Sequence, residues 1–172
     1  NDNDNNNILP PNLEKLNCSI NKLNSLPSTL PFTIKELNCS NNQITSLPSI
    51  LPPNLEILEI YNNKINSIAS ILPLTIKELN VANNKLDSFP FTLPNSLEKL
   101  DFSYNRFKSF PHILPDTIKE IDCSYNRFIF LDFILTNTIE KLYCNDNQLI
   151  SLPETLPINL QDLDCSNNKI TS

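Results

Sequence analysis

Residues 97–107 of the 172-residue chain read LEKLDFSYNRF, and residues 118–128 read IKEIDCSYNRF. The two stretches are 21 positions apart and share the letters SYNRF, so the chain repeats itself at a fixed period. Stepping by 21 from the asparagine of SYNRF finds asparagine every time: Asn21, Asn42, Asn63, Asn84, Asn105, Asn126, Asn147 and Asn168. Eight units in one frame predict a solenoid in which each unit packs only against its neighbours.

Apolar residues recur at fixed distances from each of these asparagines. They stand eight, five and three positions before it and two after it, which gives L-x-x-L-x-L-x-x-N-x-L with Ile, Val, Phe or Cys in place of some leucines. Alternation about the second leucine predicts a short strand with one face inward, and such strands stack in parallel about 4.8 Å apart. The asparagine falls where the strand turns away, so its side chain is predicted to bond unpaired backbone groups of that turn.

This pattern resembles the leucine-rich repeat family in its short, proline-containing form, and the resemblance covers the chain from Ile8 onward. It implies an α/β-class leucine-rich repeat solenoid, a curved right-handed horseshoe with a parallel β-sheet on the concave face. The LPxxL segments resemble those of bacterial effector repeats, and the Asn/Lys/Ile-rich composition resembles that of amoebal and giant-virus relatives, including Roco-type signalling proteins. We expect an Asn/Asp-rich disordered tail over residues 1–7 and a repeat domain over residues 8–172 that is cut short at its C-terminal end.

Two prolines four residues apart follow most of the predicted strands, as at Pro27 and Pro31. Proline fixes φ and has no amide hydrogen, so the convex side is predicted to be extended or to form short turns, with little or no α-helix. Two units depart from this rule. Ala69 replaces the first proline of one unit, and Asp132 and Thr136 replace both prolines of another, so we expect local irregularity or a 3₁₀ turn there.

The two residues that follow the first leucine of most units alternate in sign, beginning with Glu14-Lys15 and Lys35-Glu36. Parallel neighbours therefore place opposite charges side by side, which favours the register of the sheet. These charges are predicted to form a solvated, self-paired edge, and their alternation suggests an ancestral unit of two repeats.

The composition argues against several functions. The net charge of −6 argues against a nucleic-acid partner, no apolar run is long enough for membrane insertion, and a chain without glycine has no Gly-rich phosphate loop. His112 is the single histidine, and no nucleophile–base pair or metal cluster is evident, so we predict neither enzymatic activity nor a cofactor. The five cysteines occupy the inward strand position without CxxC spacing, which favours core packing in a reducing, cytoplasmic setting, although a bridge among Cys123, Cys144 and Cys165 is geometrically conceivable.

The outward positions of SYNRF are the candidates for binding. Tyr and Arg are the residues most enriched at binding hot spots, and here they stand at positions that point away from the core. The predicted partner-binding residues are Tyr61, Asp101, Tyr104, Arg106, Asp122, Tyr125, Arg127 and Tyr143. The alternative is that tyrosine stacks on tyrosine and arginine pairs with aspartate for stability alone, because duplication of a repeat would produce the same pairing.

Two functions fit this surface. The first is a non-catalytic module that binds a protein or peptide on its concave face, because a rigid sheet loses little entropy on binding. The second is a targeting or regulatory segment of a larger signalling enzyme, which the resemblance allows to be a kinase, a Roco-type GTPase or a ubiquitin ligase. Formation of a homodimer through the concave face or an exposed end is a further possibility.

Overall fold

The computed structural model describes residues 9–68, 72–88, 92–109, 113–132 and 135–171. The predicted tail over residues 1–7, together with Ala69 and His112, lies outside these residues. The described strands are β1 (Lys15–Asn17), β2 (Glu36–Asn38), β3 (Ile57–Glu59), β4 (Glu78–Asn80), β5 (Lys99–Asp101), β6 (Glu120–Asp122), β7 (Lys141–Tyr143) and β8 (Asp162–Asp164). They form one parallel sheet in the order of the chain, so the predicted solenoid is confirmed.

Each strand is offset from the next by one repeat, and its middle residue faces the core. Leu100 of β5 pairs with Ile121 of β6, and both side chains are at most 1% exposed. The flanking strand residues are half-buried or exposed, as the period of two requires. Backbone hydrogen bonds continue between repeats beyond the strands, as from the amide of Tyr104 to the carbonyl of Ser124 at 3.0 Å. The end of each strand is therefore held in a fixed place relative to its neighbours.

The cysteines belong to the core, as predicted. Cys39, Cys123 and Cys144 are buried, Cys18 and Cys165 are half-buried, and all five are free thiols. Burial raises the pKa of Cys39 and of Cys144 to about 12, and it raises the pKa of Cys123 well above its usual value. These thiols are protonated at neutral pH and act as small apolar side chains.

The asparagines that recur every 21 residues join neighbouring units. We call this column of side chains the asparagine ladder. The Nδ2 group of Asn126 donates to the carbonyl oxygens of Cys123 and Ser124 in its own repeat, at 3.2 and 3.1 Å. It also donates to the carbonyl of Phe102 in the preceding repeat at 3.0 Å, while its Oδ1 accepts from the amide of Phe107 at 3.0 Å. The same contacts recur along the array. The predicted structural role of these residues is confirmed.

The second proline of most convex segments begins the turn that leads into the next strand. The carbonyl of Pro115 accepts a hydrogen bond from the amide of Ile118 at 3.1 Å, which closes a turn. Thr136, in the unit that lacks both prolines, keeps this bond with the amide of Ile139 at 3.3 Å. The described convex residues are turns, bends and extended chain without helix, as the prolines predict.

Charged residues beside the strands form columns of alternating sign, which confirms the predicted self-pairing. Six Lys–Glu pairs link adjacent repeats with N–O separations from 2.7 to 3.9 Å. Hydrogen bonding and charge from the partner raise the pKa of Lys77 and Lys119 above 10.5 and lower the pKa of Glu56 and Glu98 below 4.5. The stabilisation from the carboxylates is fully present above pH 4.5 and is lost as the pH falls through their lowered pKa. The stabilisation from the lysines is fully present below pH 10.5 and is lost as the pH rises through their raised pKa.

Lys119→Glu would place an acidic side chain between Glu98 and Glu140, which gives three acidic side chains in succession. We expect a lower urea midpoint in low salt, with part of the loss recovered at about 1 M NaCl because salt screens exposed charges. Lys108→Glu is the matched control, because it makes the same charge change at an exposed lysine that forms no ion pair among the described residues. Equal midpoints for the two variants would show that the charge columns do not favour the register.

Candidate functional site

The residue before each ladder asparagine has a left-handed backbone, although the chain contains no glycine. The φ angle at these positions lies between 48° and 55°. Asn and Asp tolerate this conformation better than other non-glycine residues, and they fill most of the column: Asn41, Asn62, Asn83, Asp146 and Asn167. The remaining positions are occupied by Ile20, Tyr104 and Tyr125, which are side chains that the backbone disfavours.

Tyr104 and Tyr125 stack on one another at the ends of β5 and β6. Their ring centroids are 4.0 Å apart with 9° between the ring planes, and the side chains remain 50% and 41% exposed. Elsewhere the same column forms an amide chain, in which Asn62 Nδ2 donates to Asn41 Oδ1 at 2.6 Å. The aromatic pair thus replaces a polar contact that suits the backbone, at a conformational cost on the order of 1 kcal/mol per residue.

An acidic side chain lies beyond the second tyrosine. Hydrogen bonding with Tyr104, followed by the negative charge of Asp146, raises the pKa of Tyr125 to about 12. The carboxylate of Asp146 accepts hydrogen bonds from Asn145 Nδ2 at 2.9 Å and from Asn167 Nδ2 at 3.3 Å. Tyr125 therefore presents a neutral hydroxyl group at physiological pH, and its ring orientation is shared with that of Tyr104 through the stack.

The two arginines of SYNRF lie beside the tyrosine stack and point into solvent. The amide of Arg106 bonds the carbonyl of Leu86 at 2.7 Å, and the amide of Arg127 bonds the carbonyl of Phe107 at 2.9 Å, so the backbone is fixed. Neither guanidinium makes an ion pair within the described part of the chain. We call Tyr104, Arg106, Tyr125 and Arg127 the Tyr/Arg cluster.

The predicted aspartates Asp101 and Asp122 bond to their own turns. Asp101 Oδ1 accepts from the amide and hydroxyl of Ser103 at 3.0 and 2.8 Å, and Asp122 Oδ1 accepts from Ser124 at 2.9 and 2.6 Å. Burial raises the pKa of Asp101, and the Ser103 hydrogen bonds oppose this rise. Of the stabilising contacts proposed as an alternative to binding, the tyrosine stack is present and an Arg–Asp pair is not found among the described residues.

The other two predicted tyrosines differ in their positions, because Tyr143 is the strand partner of Asp122 and Tyr61 is more distant. The hydroxyl of Tyr143 donates to Asp162 Oδ2 at 2.6 Å, which raises the pKa of Tyr143 to about 12 and links β7 to β8. Tyr61 is half-buried, and its repeat lies two units before that of Tyr104. The structure therefore assembles the Tyr/Arg cluster at the rim of the sheet, with Asp101 and Asp122 on the adjacent strands, and leaves Tyr61 away from it.

An apolar group next to the cluster was not anticipated from the sequence. Ile129, Phe130 and Ile150 are 49%, 51% and 43% exposed. The signal was present, because Phe130 stands where the other repeats carry serine, and the isoleucines stand where the first four repeats carry Asn, Thr or Asp. The left-handed backbone at the tyrosines was also missed, although the Asn/Asp content of that column indicated it.

No group of three or more His, Cys, Asp and Glu side chains in the described part of the chain is arranged to hold a metal ion. No helix there has the length and apolarity of a membrane span.

Comparison with known proteins identifies the family. The family model for the leucine rich repeat matches residues 33–53 and 96–116. The leucine-rich repeat domain of a Shigella effector is 32% identical with a TM-score of 0.82, and the match covers 94% of this chain and 72% of that one. The chain belongs to the leucine-rich repeat family. Proteins with curated annotation give no match.

Two other solved structures are similar. YopM from Yersinia enterocolitica is 37% identical with a TM-score of 0.90 over 96% of this chain, and this chain spans 35% of its length. The functional domain of InlJ from Listeria monocytogenes, which includes a cysteine ladder, is 27% identical with a TM-score of 0.82 over 93% of this chain and 36% of that one. The repeat type is therefore one that bacterial effector proteins use.

Proposed function

We propose that the chain is a non-catalytic protein-interaction module that binds a protein or peptide through the Tyr/Arg cluster, in a reducing, cytoplasmic compartment. The observation that carries this proposal is the stacked, exposed pair of Tyr104 and Tyr125 at backbone positions that favour Asn. Residues in such sparsely populated backbone conformations cluster at functional sites. A second support is that Arg106 and Arg127 are exposed without ion pairs among the described residues, which leaves their donors available to a partner.

The rigidity of this surface favours binding. The tyrosine backbones are hydrogen-bonded to the following repeat at 3.0 Å, and the ladder asparagines between the outward side chains are buried. A partner would therefore meet side chains at fixed spacing, and little conformational entropy would be lost on association. The five free cysteines support a reducing compartment.

Tyr104→Asn/Tyr125→Asn tests the proposal without damage to the fold, because Asn is the residue that the same column carries at Asn41, Asn62 and Asn83. We expect the free energy of unfolding of the variant to lie within about 1 kcal/mol of that of the parent, because the more favourable backbone conformation of Asn offsets the lost stack. In affinity capture from lysate with quantitative mass spectrometry, we expect loss of at least one protein that the parent recovers.

The matched control is Lys64→Gln/Lys85→Gln, which alters exposed lysines of the preceding repeats at the positions equivalent to the arginines. This control is expected to recover the same protein as the parent. If no protein depends on the two tyrosines while the variant remains folded, the cluster is not the binding site and the stack serves only the array.

A further inference from the structure

Around the ladder asparagines exposed and buried residues alternate along the chain, and equivalent exposed positions of successive repeats form rows. In the sixth repeat Tyr125, Arg127 and Ile129 are exposed, whereas the alternate residues Asn126 and Phe128 are buried. The chain bends at Tyr125, where φ is 51°, and adjacent repeats lie about 4.8 Å apart. An aromatic row, a guanidinium row and an apolar row therefore lie side by side across neighbouring repeats.

The apolar row begins next to the arginines. The amide of Ile150 bonds the carbonyl of Ile129 at 3.2 Å, so these two exposed side chains belong to directly adjacent segments. Phe130 follows Ile129 and adds a half-exposed aromatic ring at a serine position. We call the Tyr/Arg cluster together with Ile129, Phe130 and Ile150 the lateral patch.

The same three rows are polar in repeats two to four. In the third repeat they read Asn62, Lys64 and Asn66, and in the fourth repeat their outer position is Asp87. Lys64 is also engaged, because its Nζ donates to Gln43 Oε1 at 3.0 Å. Only the sixth repeat carries all three kinds of side chain, and its neighbours extend the rows in part. The fifth repeat adds Tyr104 and Arg106 but has Lys108 at the outer position, and the seventh adds Ile150. The array as such does not require these side chains, because the polar versions fold in the same way.

Charge determines which kind of partner fits. The chain has a net charge of −6, and its Lys–Glu columns neutralise each other, so Arg106 and Arg127 form a local positive group on an acidic protein. The neighbouring carboxylates of Asp101, Asp122 and Asp146 already accept hydrogen bonds from serine and asparagine side chains. A guanidinium fork matches a carboxylate in geometry and charge, so an acidic side chain of the partner completes this group.

We propose that the lateral patch binds an extended acidic segment of a partner protein in which apolar residues flank an acidic one at every second position. An extended segment repeats its side chains on one face about every 6.6 Å, so it can present successive side chains to the successive rows. An acidic residue would face the arginines, one apolar neighbour would face the tyrosine stack, and the other would face Ile129, Phe130 and Ile150. This inference rests on the proposed function and adds the chemical class of the partner.

The test selects peptides from a displayed random library by their binding to the immobilised protein. Fluorescence anisotropy then measures the affinity of the enriched peptides. We expect enrichment of an Asp or Glu with an apolar residue two positions away on one or both sides. We expect Arg106→Gln/Arg127→Gln to weaken binding about tenfold or more, and Ile129→Thr/Ile150→Thr to do the same, because each removes one row. Thr is the residue that the second repeat carries at the isoleucine position.

Lys64→Gln/Lys85→Gln is again the matched control, since it removes the same two charges from the neighbouring repeats, and it is expected to change affinity less than about twofold. Enrichment of peptides without acidic residues, equal binding by the arginine variant and the control, or no enrichment would each overturn the proposal. Peptides that respond to Tyr104→Asn/Tyr125→Asn but not to the arginine and isoleucine variants would show that the site is right and the partner class wrong. Peptides whose binding is also unchanged by Tyr104→Asn/Tyr125→Asn would count against both the proposed function and the proposed partner class.

Discussion

Asn126→Asp is expected to lower the free energy of unfolding by about 3 kcal/mol or more at pH 7. The substitution keeps the oxygen that accepts from the amide of Phe107, but it removes the Nδ2 donor. The carbonyl oxygens of Phe102, Cys123 and Ser124 lose their bonds to that group and face a carboxylate in a position only 8% exposed. Each of these carbonyls keeps one other donor, so the size of the effect comes mainly from a buried carboxylate that faces three carbonyl oxygens.

The pH dependence of this variant has a definite sign. Burial and the surrounding carbonyls raise the pKa of the new carboxyl group above its unfolded value of about 3.9. The folded state then binds more protons than the unfolded state between these two values, so the deficit relative to the parent shrinks as the pH falls. Urea unfolding of variant and parent at pH 7 and at about pH 4 measures the difference. A deficit that stays the same at both pH values would show that charge is not its cause.

Asn126→Ala and Asn21→Asp serve as comparisons. The alanine variant removes the same Nδ2 donor and also the Oδ1 acceptor, but it adds no charge, so its deficit is expected to be smaller at pH 7 and independent of pH. Asn21 is exposed and donates to Cys18 and Ser19 of its own repeat. Its substitution by Asp is expected to cost less than about 1 kcal/mol, because water can satisfy the freed groups.

The array was predictable from the sequence because one period controls every level of it. The strand, the inward leucines, the ladder asparagines and the charge columns each depend on spacing along the chain. A parallel stack with one repeat per turn brings equivalent positions together without further information. Lys119 and Glu98 are 21 residues apart in sequence and 2.7 Å apart in space for this reason alone. The prediction therefore held wherever the contact joined equivalent positions of adjacent repeats.

The site was predictable only in part, because it depends on departures from the repeat. Tyr104 and Tyr125 were identified from their residue type, but their left-handed backbone could be inferred only from the asparagines elsewhere in the column. Asp101 was assigned to a partner, whereas the serine two positions later engages its carboxylate. Tyr143 likewise bonds a residue at a different position of the next repeat, Asp162, which the period does not predict. Contacts between unlike positions require side-chain geometry.

Phe102→Ala is expected to lower the free energy of unfolding by about 3–5 kcal/mol, because it leaves a cavity beneath the repeats that carry the site. Phe102 is fully buried and lies edge-on to Phe107 and Phe128, with ring centroids 5.1 and 6.1 Å apart. No other position in the described part of the array shows such an aromatic trio. Phe102→Val restores the residue type of the fourth repeat, Val81, and is expected to cost less because the cavity is smaller.

The same cavity is expected to disturb the surface, because Phe107 and Phe128 are the buried neighbours of Arg106 and Arg127 in an alternating segment. Under conditions where Phe102→Ala remains folded, the aromatic NMR signals of Tyr104 and Tyr125 should shift and broaden as the stack loosens. Ile60→Ala is the control, since it empties the equivalent buried position two repeats earlier and should destabilise the protein while leaving these signals unchanged. Unchanged tyrosine signals in Phe102→Ala would mean that the outer rows are held by the backbone ladder alone, and that the phenylalanine core is not what positions the Tyr/Arg cluster.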